Sequence, residues 1–423
     1  MKKFISLVLA MGIVSSAFVL SACQNNDGNT QDSAVESTVS NTSAESKDEQ
    51  ESVESSVAEI KVSDSLPEIT NQQLSLLAKD VNYYQKVPEF TSTAEVINAR
   101  EITENKKIAF IPDNSNNGYT ALVMDQIKNA ASTVGFKENN IFIAETDGTI
   151  SKINDALKSA IDKKSNITVM FGDINKDNLA TSIETVQANG IEVVSSGCAG
   201  VNQNDHFVDN TVPVNFQLAG KLMADWTLLR KKGKVNALAV NNSDSVLSNT
   251  IYNGFAEEFK KYVSTATGYC TTVNGTVDEI GNGFSSKIKD ELTKDPNINY
   301  IIVFDESAIS DAVSAVEQTN SKAQVIATGG SKEAFEMAES GNIEMLVAQS
   351  YEWIAYATVD YSIRVMSGSK LPKEQDVPFR IVNQASIKKE LEEDDSDADG
   401  FYQICFGAAF VDGYSRLWGF EEE

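Results

Sequence analysis

The chain has 423 residues, 41% of them hydrophobic, which suffices for two or three domains with well-filled cores. Its 61 acidic residues against 35 basic ones give a net charge of −26, with no Lys/Arg-rich block. That balance excludes nucleic acid and an anionic membrane surface as electrostatic partners.

Residues 1–22 begin with Lys2 and Lys3, continue through an apolar run from Phe4 to Leu20, and end in Ser21-Ala22 before Cys23. This is the layout of a secretory signal, and no basic stop-transfer flank follows the run. "LSAC" resembles the bacterial lipobox, which implies that Cys23 is lipidated, becomes the first mature residue and holds the chain to the outer face of a membrane. Residues 23–65 are rich in Ser, Glu, Asp, Asn, Thr and Gln, and lack aromatic residues and proline. Such a segment cannot bury enough apolar surface to offset its ordering entropy, so a disordered acidic tether is expected. Residues 66–105 read as a lead-in, with a short helix in "QLSLLAKDVNYYQ" and an extended stretch at "VPEF".

From Lys106 onward, short β-branched runs alternate with amphipathic stretches. The runs are "KIAFIP" (107–112), "IFIAET" (141–146), "ITVMFG" (167–172), "EVVSSG" (192–197), "VNALAV" (235–240), "GYCTTV" (268–273), "YIIVFD" (300–305) and "QVIATG" (324–329). Between them, "YTALVMDQIKNAASTVGF" places Leu122, Ile127, Ala130, Ala131 and Val134 near one helical face and stops at Gly135. Near-continuous apolar strands alternating with helices predict parallel sheets covered on both faces, an α/β class. The longest interval between strands, Gly197 to Val235, divides them into two lobes of four strands each. "LVAQSYEW" and "DVPFRIVNQASI" read as two further extended passages that return the chain between lobes. "FYQICFGAAFVDGYSRLWGF" reads as a buried element closing the second lobe. The expected division is 106–214 plus 350–380 for the first lobe and 215–349 plus 381–423 for the second.

Ligands of open parallel sheets bind outside the carboxyl ends of the strands. Those ends carry "DNSNNGY" (Asp113 to Tyr119), Gly172-Asp173, "SSGCAG", "NNSDS" (Asn241 to Ser245), Asp305-Glu306 and Gly329-Gly330. Short loops need such residues for turns and helix caps, and Asp305 before "ESAISDAV" fits a cap. Taken together they predict a polar cleft between the lobes.

The order of "IAFIPDNSNNGYTALVMDQIKNAASTVGF", "AGKLMADW", "IIVFDESAISDAVSAVE", "VIATGG" and "LVAQS" resembles the type I periplasmic sugar-binding proteins, from about Lys106 to Lys370. The resemblance implies two Rossmann-like doubly wound lobes joined by a three-strand hinge that close on a small ligand. It implies delivery of that ligand to a membrane permease of an ABC importer, by a monomer without cofactor. Asn117, Tyr119 and Gln349 match the family's ligand positions, and Phe284 fits its aromatic after the second strand of the second lobe. Gly197-Cys198, Ile251, Phe304-Asp305 and Gly329 stand where the family carries its Asp-Arg, Arg, Asn-Asp and Asp groups. The chain thus keeps part of an aromatic sandwich (Tyr119, Phe284, with Trp353 as a further candidate) and loses most of the ionic clamp. That implies a ligand other than a ribose-like monosaccharide held in the usual way, with Asp113, Asp173, Ser243 and Asp244 as alternative contacts. Cys198, at a strand end, is a further candidate contact.

A sensor feeding a membrane kinase or chemoreceptor uses the same architecture and is the alternative output. An enzyme would need the one histidine, His206, in "QNDHFVD", and no G-x-S-x-G elbow accompanies it. The acidic run "ELEEDDSDADG" (390–400) fails the EF-hand spacing and reads as a solvated loop, so no metal site is expected. No C-x-x-C pair occurs, and Cys198, Cys270 and Cys405 allow at most one disulfide.

Overall fold

The computed structural model describes residues 59–174, 179–197, 210–212, 214–372, 377–394 and 405–420. The expectations for residues 1–58, Cys198, His206 and 395–400 lie outside the described residues.

Ile108–Pro112 (β1), Ile141–Ile143 (β2), Ile167–Phe171 (β3) and Glu192–Ser196 (β4) form a parallel sheet in the order β2-β1-β3-β4. Asn236–Asn242 (β5), Tyr269–Gly275 (β6), Tyr300–Val303 (β7), Gln324–Gly329 (β8), Met345–Gln349 (β9) and Phe379–Val382 (β10) form the second, in the order β10-β9-β8-β7-β5-β6. There β10 runs antiparallel to β9 and the other pairs are parallel. The eight apolar runs of the sequence are β1 to β8. Every residue of β1 and β3 is buried, because helices cover both faces of the sheet. Ile167, Val169 and Phe171 join the core around Val123 and Ile127, whereas Met170 joins the core around Ile153, Leu157 and Ile183.

Around the first sheet lie Ala99–Thr103 (α2), Gly118–Val134 (α3), Ile150–Asp162 (α4), Ala180–Ala188 (α5) and Tyr351–Ser367 (α11). The second sheet carries Asn71–Tyr84 (α1), Phe216–Lys231 (α6), Val246–Phe259 (α7), Phe284–Lys294 (α8), Ile309–Thr319 (α9), Lys332–Ser340 (α10) and Gln384–Asp394 (α12). Helices α6 and α7 cross with almost no side chain between them. A Cβ at Gly220 would lie 1.9 Å from the Ile251 carbonyl oxygen, and one at Gly254 2.1 Å from that of Gln217. On α3, Val123 and Met124 join the expected buried face, while Leu122 is 40% exposed.

Five sequence expectations change. The second lobe holds six strands rather than four, because β9 and β10 pair onto its sheet. Residues 59–65 belong to the folded body rather than to the tether, with Ile60 buried in the core and Ser63 bridged to Ser264. "YEW" is the first turn of α11, capped by Ser350, whose side chain accepts from the Trp353 N–H; only "LVAQ" of that passage is strand. Ala409–Leu417 (α13) packs on α11 and so lies with the first lobe, drawn there by Trp353, Tyr356, Phe410, Tyr414 and Trp418, which stack on one another. The acidic run does not begin as a solvated loop: Glu390 ends up in α12, paired with buried Arg380 at 3.0 Å.

The lead-in is a strap across both lobes. Ser63 bridges to Ser264, and α1 packs on α6, where Lys221 pairs with Asp80 at 2.8 Å. Arg380 then donates to the Gln85 carbonyl, and Phe90 packs on Trp353 and Tyr414. Beyond it the N–H groups of Ile97 and Ala99 donate to the carbonyls of Leu417 and Trp418, and α2 packs on α3 and α11. Fully buried Arg364 fastens this strap. It donates to Asp360 at 2.9 Å and to the Glu95 carbonyl at 2.9 Å, while Trp418 Nε1 donates to Asp360 at 3.0 Å.

Breaking a buried pair from one side leaves a charge without its counter-ion, at a cost of roughly 3–5 kcal/mol. Arg364→Ala is therefore expected to lower the unfolding free energy by about that amount in denaturant titration. A loss below about 1 kcal/mol, the scale of an exposed pair, would show that the network does not hold the strap.

Candidate functional site

The carboxyl ends of both sheets face one cleft, a cavity of about 590 Å³. From the first lobe come Asp113 after β1, Asn117 and Tyr119 at the start of α3, Gly172-Asp173 after β3 and Gly197 after β4. From the second come Ser245, Leu247 and Ile251 on α7, Phe304 to Ser307 after β7, Thr328-Gly329 on β8, and Gln349 and Tyr351 at the crossing into α11. Parallel topology makes this inevitable: each strand ends at the same edge and the following helix starts there with exposed N–H groups.

Those N–H groups organise the acids. Asp305 accepts from Ser307 N at 3.0 Å and from Asn242 Nδ2 at 2.7 Å, so it caps the turn before α9 as well as lining the cleft. Glu306 accepts from the N–H groups of Gly330 (3.1 Å) and Ser331 (2.9 Å) at the start of α10, and from the Tyr351 hydroxyl. Asp113 accepts from Asn114 N, from the Thr120 hydroxyl at 2.8 Å and from Asp173 N at 2.9 Å. Gly172 makes that last contact possible. It has φ +99°, and a Cβ there would lie 2.4 Å from the Asp113 carboxyl carbon.

Asp173 acts across the cleft. Its Oδ2 accepts from Ser245 Oγ at 2.8 Å and from Leu247 N at 3.2 Å, so a first-lobe carboxylate caps the second-lobe helix α7. Capping geometry and the positive end of the helix both favour the anion. Burial works against it, and with the nearby charges of Asp113 and Asp305 it pushes Asp173 up to about 7 despite the bonds from Ser245 and Leu247. Burial also raises Asp113 above the ordinary carboxylate range.

Of the residues expected from sequence, Asn117, Tyr119, Asp173, Asp305 and Gln349 meet in this cleft, together with Asp113. Asn117 also caps α3, accepting from Thr120 N at 3.1 Å. Ser243 and Asp244 do not line it: Ser243 donates to the Gly275 carbonyl and Asp244 accepts from Val277 N, which fastens the loop after β5 to the loop after β6. Phe284 is fully buried beneath Gly275, whose Cβ would lie 2.7 Å from its ring, so it is core rather than a stacking surface. Trp353 stacks on Phe410 at 4.7 Å, away from the cleft lining. The aromatics that do stand beside Tyr119 are Tyr351, with ring centroids 5.2 Å apart, and Phe171 of β3, at 5.7 Å. The positions where the resemblance placed an ionic clamp (Gly197, Ile251, Phe304 and Gly329) do line the cleft, and leave that part of its wall uncharged. Cys270 and Cys405 are buried free thiols, both raised to about 12 by burial, and take no part. Among the described residues, no group of three His, Cys, Asp or Glu side chains has metal-holding geometry, and no helix is long and apolar enough to cross a membrane.

Residues 108–370 match the model of the periplasmic binding protein domain family. Solved structures share the fold. GanP, a glucose-galactose binding protein from Geobacillus stearothermophilus, superposes with TM-score 0.56 at 17% identity, covering 66% of this chain and 98% of its own. An ABC transporter solute-binding protein from Agrobacterium vitis with bound allitol gives 0.58 at 14% identity, covering 68% and 98%. One from Actinobacillus succinogenes 130z with bound D-allose gives 0.57 at 16%, covering 67% and 100%. No curated protein matches the sequence.

The trans-lobe cap makes closure of the empty cleft pH-dependent. With the lobes apart Asp173 is solvated, with an ordinary value near 3.9, and closed it rises to about 7. The closed state thus binds the proton more tightly, is favoured below about pH 4, and loses that advantage as pH rises through 7. Solution scattering of the ligand-free protein should show a smaller radius of gyration at pH 5 than at pH 8, and Asp173→Asn should abolish the difference. A radius that stays constant in the native protein, or shrinks with pH, contradicts the assignment.

Proposed function

The chain belongs to the periplasmic binding protein family, and from that premise we propose that it captures a carbohydrate or polyol between its lobes outside the cytoplasm and delivers it to an ABC importer. One observation carries the reading: side chains from both lobes converge on a single cleft and already touch across it at Asp173 and Ser245. A ligand that contacts both sides binds the closed state alone, and capture is then a shift of the open–closed equilibrium. The chemistry of the lining suits a hydroxylated solute. Tyr119 and Tyr351 offer an apolar ring surface, and Asn117, Ser307, Thr328 and Gln349 offer polar groups around it. No covalent step is part of the proposal. The fold neighbours with bound allitol and D-allose support the choice of ligand class.

The anchor belongs to the same proposal. Residues 1–23 supply a signal and a lipobox-like cysteine, so Cys23 is the lipid attachment site and the polar stretch from 24 up to the packed residues 59–65 the tether that lets the lobes reach solute and permease. The protein acts as a monomer, since a single chain contributes both walls of the cleft.

A thermal-shift screen across neutral sugars, amino sugars and polyols tests the reading. A true ligand at about 100 times its Kd adds roughly 2.7 kcal/mol and raises the melting temperature by several degrees. Replacing Gln349 with Ala should weaken that ligand by about tenfold, the scale of one buried hydrogen bond. No shift with any member at millimolar concentration overturns the proposal.

A further inference from the structure

Two buried acceptors in the cleft have no donor. Gln349 is 5% exposed, and its Oε1 has no hydrogen-bond partner. Its orientation is fixed, because Nε2 donates to Thr328 Oγ1 at 3.4 Å and that hydroxyl in turn donates to the Val347 carbonyl. Asp173 Oδ1 is buried and unpartnered as well, while Oδ2 of the same carboxylate holds Ser245 and Leu247. Buried acceptors without donors are uncommon in native structures, and in a cleft they mark what a ligand must bring.

The charges narrow the ligand further. Asp113, Asp173, Asp305, Glu306 and Glu333 line the cleft, and among the described lining residues there is no Lys, Arg or His. Asp113, Asp305 and Glu306 already accept hydrogen bonds on both of their oxygens. Asp173 Oδ1 is therefore the buried carboxylate oxygen left for a ligand.

Resting on the solute-capture reading, we infer that the ligand is a hydroxylated cation, an amino sugar or amino polyol, whose ammonium group donates to Asp173 Oδ1 while a second donor satisfies Gln349 Oε1. A neutral hydroxyl could fill either position geometrically. An ammonium also supplies the positive charge that the cleft's own side chains lack, and a charge-assisted bond is about twice as strong as a neutral one. The raised affinity of Asp173 for protons in the empty cleft has the same origin: burial, then the neighbouring carboxylates, with no cation beside it. Uronates and sugar phosphates bring a like charge to this wall and are rejected.

Calorimetric titration at pH 7 with hexoses of gluco, galacto and manno configuration decides the matter, each offered as the neutral sugar, the 2-amino-2-deoxy sugar and the uronate. The expected result is an amino form binding roughly tenfold or more tightly than its neutral counterpart, with no binding of any uronate. Asp173→Asn should bring the amino-to-neutral ratio to about one. Neutral sugars binding as tightly as amino sugars, or a uronate binding at all, overturns the cationic ligand and leaves solute capture standing. An amino preference that survives in Asp173→Asn overturns the assignment of Asp173. Failure of all nine compounds, together with a silent thermal-shift screen, overturns both readings.

Discussion

A carboxylate of one lobe caps a helix of the other, and the arrangement of the cleft follows from that contact. Asp173 reaches Ser245 and Leu247 because β3 ends at the same edge as β5 and because Gly172, in the left-handed region, lets the chain turn against Asp113. Buried carboxylates ordinarily take a cation as partner. Here helix ends do that work: α7 for Asp173, the turn before α9 for Asp305 and the start of α10 for Glu306. Parallel α/β topology supplies these N–H groups in quantity, which is how a cleft so acidic holds together without arginine.

Arginine appears on the side away from solute. Arg364 and Arg380, both buried, bind main-chain carbonyls of segments that lie outside the family match at 108–370: Glu95 and Gln85 in the lead-in, and Cys405 near the carboxyl end. A guanidinium presents several donors in fixed directions and can join three chain segments at once, which a single lysine does not do. The lead-in runs from α6 of the second lobe to α11 of the first. Among the described residues the lead-in is thus a further connection between the lobes, and any opening motion must carry it along.

The fold was legible because buried parallel strands are short, β-branched and separated by helical stretches, a pattern that survives without any knowledge of contacts. Within the site, residues at strand ends were legible for the same reason, and Asp173 and Asp305 were found that way, whereas Gln349 was reached only through the family resemblance. What stayed hidden depends on where a side chain turns after the strand. "SYEW" follows an apolar run and reads as extended, yet the Ser350 cap starts a helix there and brings Tyr351 beside Tyr119. Phe284 follows a strand as the resemblance requires, but Gly275 leaves a hollow that its ring fills. Ser243 and Asp244 are polar strand-end residues used by a neighbouring loop. The trans-lobe role of Ser245 and Leu247 had no signal, since a helix cap looks the same whichever lobe completes it.

The two oxygens of Asp173 give closure and recognition a common origin. Oδ2 joins the lobes, and the carboxylate does this best when ionised, because both of its partners are donors. In the empty cleft the desolvation of the ionised carboxylate outweighs those two bonds, which is why the closed state takes up a proton. On the proposed reading, a cationic donor at Oδ1 would offset that desolvation and keep the carboxylate ionised, so that it adds to its own contacts the bonds at Oδ2. A ligand of equal affinity for open and closed lobes would do neither, and only this difference between the two states can drive closure.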